Sequence, residues 1–283
     1  MGKNRLLYFD ASQKQEQQER QQRLQRLEEA LLKQELCLYY QPKVDLRTQA
    51  VIGVEALIRW QHPEQGLLAP GAFLPDVEGS ELEVPLGLWV LEQALTQLQH
   101  WHELGLPLAV SVNISANHLL SPGFVKDLKE LLQRFSRLPA ASLEIEVLET
   151  AALSSLDEGQ RLLEECHQLG VQISLDDFGT GYSSLSYFRK LPVDILKIDQ
   201  SFVRDMLDDQ EDRSIVESVV RLAAAFNRQV IAEGVETPQH AEALLELGCF
   251  LVQGYGIAKP MPAAVLPQWL EEWAKNADIA LAN

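Results

Sequence analysis

Asp176 and Asp177 stand side by side at the end of an apolar run, Val171–Leu175, and comparable polar residues mark the other apolar runs of this 283-residue chain. Glu55 and Arg59 interrupt Val51–Trp60, Asn113 closes Leu108–Asn113, and Glu146 sits near the end of Ser142–Val147. Lys197 falls within Val193–Ile198, Glu233 follows Gln229–Ala232, and Gln253 follows Cys249–Val252. Burying an isolated carboxylate is costly unless it is paired or metal-bound. One such acid reads as a group satisfied in a structural ion pair; a series at matching ends of successive runs reads as a site. Glu55, Glu146, Asp176, Asp177 and Glu233 would be opposed only by Lys197 and Arg59, and so crowded a set of carboxylates cannot all stay ionised without cations. Oxygen donors with one Asn and no Cys or His suit hard ions such as Mg2+ or Mn2+. Adjacent aspartates let one bridge a pair of ions, and two ions about 4 Å apart can displace an alkoxide from a phosphodiester. The expected chemistry is two-metal phosphoryl hydrolysis.

Elements must bring these residues together. Leu36–Asp45 and Val51–Trp60 read as two strands joined by a polar turn at Leu46–Ala50. Six further β-rich runs follow, separated by helical patterns such as Leu86–Leu104, Gly159–Leu169 and Ser214–Phe226. Leu104-Gly105, Leu169-Gly170 and Leu247-Gly248 close helices with a residue that accepts the left-handed conformation. Thr237-Pro238 opens another with a cap followed by Pro at the first helical position. Such a strand–helix alternation over about 250 residues predicts an α/β fold, a (β/α)8 TIM-like barrel whose chemistry lies at the C-terminal strand ends. The first two strands are joined too tightly for a parallel crossover, so the first strand is expected to run antiparallel. A doubly wound open sheet is the competing fold, and placing the polar residues at one end of the strands favours the barrel.

Composition excludes other classes. A formal net charge of −17 argues against DNA or RNA held on a basic surface. It also requires local cations if a phosphate-bearing ligand is to approach. No apolar run approaches the roughly 18 residues of a membrane span, so direct membrane insertion is not expected. The polar N-terminus lacks a secretory core, and Cys37, Cys166 and Cys249 lack paired spacing. A reducing cytoplasm is the expected compartment, which leaves open a membrane anchor in a parent protein.

Ordered motifs along the chain resemble the EAL phosphodiesterase family. They are Gln41-Pro42, Glu55-Ala56-Leu57-Ile58-Arg59-Trp60, Val112-Asn113-Ile114-Ser115 and Glu146-Val147-Leu148-Glu149-Thr150, followed by Asp176-Asp177-Phe178-Gly179-Thr180-Gly181-Tyr182. Leu196-Lys197-Ile198-Asp199, Ala232-Glu233-Gly234-Val235-Glu236-Thr237 and Gln253-Gly254-Tyr255 complete the series, and the resemblance runs from about Leu24 to Lys275. It implies hydrolysis of cyclic di-GMP to linear pGpG by a two-metal-activated hydroxide in bacterial second-messenger signalling. Glu55, Asn113, Glu146 and Asp176 would hold one ion, and Asp176, Asp177 and Glu233 the other. Lys197, with Glu233 and Glu55, would form the catalytic set, and Gln41, Arg59, Asp199 and Gln253 would contact substrate. Glu149 would anchor the loop Phe178–Ser184, which supports the metal-binding aspartates and a homodimer contact. Mg2+ or Mn2+ would serve, two per site, and Ca2+ would inhibit. Leu148 stands where the family commonly has Thr.

Residues 1–10 resemble the closing segment of a GGDEF cyclase domain, which implies upstream GGDEF or sensor domains in the parent protein. Residues 11–35 form a polar helical pattern with a thin stripe at Leu24, Leu27 and Leu31, expected to act as a linker ahead of a barrel over residues 24–275. Glu144 shares a strand face with Glu146 and reads as a salt-bridged acid of a lower barrel layer. His62, His100, His102, His118, His167 and His240 are scattered and expected at the surface. The main alternative to an enzyme is a catalytically silent cyclic di-GMP receptor; completeness of the ligand set favours the enzyme.

Overall fold

The computed structural model describes residues 3–149, 156–179 and 188–281. The chain divides into two compact units, one of Met1–Cys37 with Ile58–Leu86, the other of Leu38–Leu57 with Gly87–Asn283.

The second unit is built on a closed barrel. Its strands are β1 (Leu36–Asp45), β2 (Val51–His62), β4 (Val110–Asn113), β5 (Leu143–Leu148), β6 (Gln172–Phe178), β7 (Ile195–Ile198), β8 (Gln229–Ala232) and β9 (Leu251–Val252). Neighbours from β2 through β4 to β9 pair in parallel. Pairing of β1 with both β9 and β2 closes the ring. The β1–β9 pair is antiparallel, Val44 facing Val252 and Asp45 facing Leu251, as the short β1–β2 turn requires. Strand positions that alternate with the inward-facing polar residues are Val, Ile and Leu of very low exposure, including Val110, Val112, Ile145, Ile173, Leu196 and Val252, and pack toward the helices. Two short strands escaped the sequence pattern: β3 (Gly66–Leu68) and β10 (Met261–Pro262).

Helices follow most barrel strands: α3 (Glu83–Glu103), α4 (Ala116–Leu119), α5 (Phe124–Arg134), α6 (Leu156–Gln168), α7 (Gln200–Asp205), α8 (Gln210–Ala225), α9 (Pro238–Leu247) and α10 (Leu266–Leu281). Their ends obey the expected chemistry. Gly105, Gly170 and Gly248 have φ of 77°, 90° and 86°. Thr237 accepts the backbone N–H of His240, with Pro238 in the first turn. His118 and His240 are buried rather than at the surface, because helix packing covers them; the His240 ring meets Arg204 O at 3.1 Å and Thr237 Oγ1 at 2.9 Å.

The first unit carries α1 (Lys3–Leu32), α2 (Leu74–Val77) and the hairpin in which Trp60 of β2 faces Leu68 of β3. Arg23 forks onto both carboxylate oxygens of Asp76 at 2.7 and 2.9 Å, fixing α1 to α2. Among the described residues, no helix is long and apolar enough to cross a membrane.

Candidate metal centre

Register across the parallel strands lines up the acids. Asn113 of β4 faces Glu146 of β5, and Leu148 of β5 faces Asp176 of β6. Successive strand residues normally point to opposite faces, so two adjacent aspartates should not share a site. A bulge resolves this. Between Leu175 and Phe178, β6 carries one residue more than β7, and Asp177 adopts φ 54°. Asp tolerates that left-handed conformation better than most side chains, and the Asp177 N–H donates to Asp176 Oδ1 at 3.0 Å. The extra residue turns Asp177 toward its neighbour. Ligand oxygens of Asp176, Asp177 and Glu233 consequently all lie within 4.8 Å of one another.

Lys197 stands among these acids with no exposed surface. Its Nζ lies 2.7 Å from Glu146 Oε2 and from Glu233 Oε1, 3.2 Å from Asp176 Oδ1 and 3.9 Å from Glu55 Oε2. Burial alone would favour the neutral amine, but Glu146, Glu233, Glu55 and Asp176 outweigh it and hold the ammonium well above its ordinary value. Glu146 moves the other way: despite complete burial, Lys197 and Lys43 keep it ionised far below the usual carboxylate range. Glu55 is raised, by burial first and then by Glu146. Burial, and then Asp176, push Glu233 up to about 8 even against Lys197. Asp177 is pushed up to about 6 by burial, then by Asp176 and by a hydrogen bond with Asp199. Asp199 itself caps α7, accepting the Ser201 N–H at 2.9 Å.

Amide side chains tie the rim together. Asn113 Nδ2 donates to Glu55 Oε1 at 2.7 Å, and Gln253 Nε2 donates to Glu55 Oε2 at 2.6 Å and to Gln41 Oε1 at 3.0 Å. Gln41 in turn donates to Ala258 O at 3.0 Å. Glu149 is buried and its Oε2 accepts the Gly179 N–H at 3.0 Å, at the start of the loop it was expected to anchor. Residues 180–184 of that loop lie outside the described residues. Arg59 belongs to the first unit, where its Nη1 donates to Ile58 O at 2.9 Å.

The donor set suits divalent ions. Asp176, Asp177 and Glu233 offer converging hard oxygens, and burial with neighbouring acids raises Asp177 and Glu233, a cost to their charged forms that a cation would offset. Glu55, Asn113, Glu146 and Asp176 supply the same chemistry, with both Glu146 oxygens held by ammonium groups. Lys43 is the residue the sequence analysis missed: its Nζ lies 2.7 Å from Glu146 Oε1, and 3.2 and 3.1 Å from the Glu144 oxygens. The signal was present as Gln41, Lys43 and Asp45 alternating on one face of an otherwise apolar strand.

A family profile described as EAL domain matches residues 24–260. The bifunctional diguanylate cyclase/cyclic di-GMP phosphodiesterase MucR of Pseudomonas aeruginosa is 42% identical over 266 residues, covering 94% of this chain and 39% of the relative. The cyclic di-GMP phosphodiesterase PdeR of Escherichia coli is 40% identical over 248 residues, 88% of this chain and 37% of that protein. The chain thus spans about two fifths of the length of these relatives. Among solved structures, the PaMucR phosphodiesterase in complex with c-di-GMP superposes with a TM-score of 0.84 at 43% identity, covering 87% of this chain and 99% of that one. The EAL enzyme Bd1971 in its cAMP and cyclic-di-GMP bound form gives 0.85 at 32% identity, with 94% and 73% covered.

Proposed function

Since this chain belongs to the EAL domain family, we propose that it hydrolyses cyclic di-GMP to linear pGpG in bacterial second-messenger signalling. The observation that carries this reading is the convergence of Asp176, Asp177 and Glu233 oxygens within 4.8 Å, beside a buried ammonium. Relatives named for cyclic di-GMP hydrolysis support the substrate.

Glu55, Asn113, Glu146 and Asp176 would hold one divalent ion, and Asp176, Asp177 and Glu233 a second. When bound, Mg2+ or Mn2+ there supplies neutralising charge for the phosphodiester and activation of the attacking water. Ca2+, with looser geometry, occupies the site without supporting turnover. Lys197 is protonated and so cannot act as a base; it orients the nucleophile and offsets charge developing on phosphate. Gln41, Gln253, Asp199 and Arg59 meet the substrate, Gln253 at the same time fixing Glu55 and Gln41. Glu149 steadies the backbone next to the aspartates through Gly179. The same proposal includes a homodimer and regulation by upstream GGDEF or sensor domains, with residues 11–35 as the connector.

Incubating the chain with cyclic di-GMP and Mg2+, with and without EDTA, and separating the products tests the reading. Metal-dependent pGpG is the expected product. Tight cyclic di-GMP binding with no pGpG would instead mark a silent receptor.

A further inference from the structure

The second buried lysine has no part in the proposed chemistry, yet it holds one of the ligands. We propose that Lys43 is a positioning residue for Glu146, acting from the barrel layer beneath the metal centre. The inference rests on Glu146 being a metal ligand.

Glu144 and Glu146 are two residues apart on β5 and share its inward face. Lys43 enters from the antiparallel β1, and its ammonium bridges the two acids. All three are buried, at 2%, 5% and 0% exposure for Lys43, Glu144 and Glu146. Its contact to Glu146 Oε1, 2.7 Å, is shorter than either contact to Glu144. With Oε1 pinned from one side, Oε2 is the oxygen left facing Lys197 and, through it, Asp176 and Glu233. Lys43 and Glu144 also line a cavity of about 500 Å3 that opens among the N-terminal ends of the parallel strands, at Ile52, Ala109, Ile195 and Gln229. Lys43 thus contacts the ligand from the side away from substrate, and substrate does not compete for it. Partners that orient a metal ligand commonly change metal affinity about 10- to 100-fold when removed.

A lysine that merely neutralised Glu144 would show the same contacts, and removing both members of that pair separates the roles. Replacing a buried ion pair with apolar groups of similar volume is often neutral for stability, so Lys43→Met with Glu144→Met should melt near the parent temperature. Mn2+ binding to the full chain, followed by electron paramagnetic resonance, should nevertheless weaken about tenfold or more. Lys43→Ile with Glu144→Leu, a pair of different volume, covers a packing failure. Glu146→Gln is the reference. Parental Mn2+ affinity in Glu146→Gln overturns the ligand assignment. Parental affinity in a folded Lys43/Glu144 double variant, beside a weakened Glu146→Gln, overturns the positioning role alone.

Discussion

At the residue scale, one ammonium organises four acids, and its protonation decides its role. Lys197→Met should lower kcat about 100- to 1,000-fold, the range seen when one preorganised charge donor is removed, with cyclic di-GMP binding largely retained. Steady-state kinetics beside direct binding would check this; equal losses of both would make Lys197 a ground-state attractor. The raised carboxyls give a second prediction. Asp177 and Glu233, raised to about 6 and about 8, keep protons in the folded chain that the unfolded chain releases near 3.8 and 4.5. Their contribution to stability is complete below those unfolded values and is lost as pH rises through about 6 and about 8. The lowered Glu146 and raised Lys197 act outside that window. Melting temperature in EDTA should therefore fall between about pH 5 and pH 8, and added Mg2+ should raise it more at pH 8 than at pH 6. A metal-free melting temperature that climbs across the window would refute the shifts. The proposed carboxylate ligands stood out in the sequence because a carboxylate in an apolar run is expensive, and Asn113 stood out as the polar residue closing one such run. Lys43 did not, because a long cation within a strand also reads as a snorkelling surface residue until its partners are known.

Elements decide whether those residues meet. The boundaries of β1 and β8 were legible to the residue, and α3 and α6 to within a turn, because alternation and helical capping are local signals. The bulge in β6 was not, since register depends on the partner strand. It is this bulge that lets Asp176 and Asp177 share one site. Glu149 supports it through Gly179, so Glu149→Ala should reduce turnover and raise the Mg2+ concentration for half-maximal rate, with Asp176, Asp177 and Glu233 all still present. An unchanged metal titration would remove that role. The strand-nine end depends on close backbone approach. A Cβ on Gly254 would lie 2.2 Å from both the N and the O of Val235. Gly254→Ala must push the two loops apart, at a cost of about 1 to 3 kcal/mol or more. It should also shift Gln253, which bridges Gln41 and Glu55. Chemical denaturation and rate measured together should both show the loss; parental stability would mean the loops part freely.

On the scale of the whole molecule, the first unit joins the long helix to an expected substrate contact. Helix α1 is 30 residues long, about 45 Å at roughly 1.5 Å per residue. Residues 13–19 are exposed throughout, whereas Leu27 and Ala30, nearer the C-terminal end, are buried. There the helix is held by polar contacts inside its own unit. Arg20 donates to Asp76 O, Arg23 forks onto the Asp76 carboxylate, and Arg26 Nη2 donates to Glu35 Oε2 at 2.6 Å. Glu35 Oε2 also accepts from Trp60 Nε1 at 3.0 Å, and Arg26 lies 5.4 Å from the centre of the Trp60 ring. Trp60 is the residue after Arg59. A twist or pairing imposed on the exposed stretch 13–19 of α1 therefore has a short polar route to the backbone of Arg59. Regulation through that route should appear as a change in KM for cyclic di-GMP, because Arg59 is proposed to bind substrate, with less change in kcat. Fusing a constitutive dimer upstream of Ser12 should shift KM about fivefold, the lower range of measured couplings between sites, relative to the bare chain at equal protein concentration. Trp60→Phe removes the donor to Glu35 and keeps an aromatic ring, and in the fusion it should erase most of the shift. Equal KM for fusion and bare chain at every concentration would show that the helix carries no signal. A shift that survives Trp60→Phe would place the signal on another path.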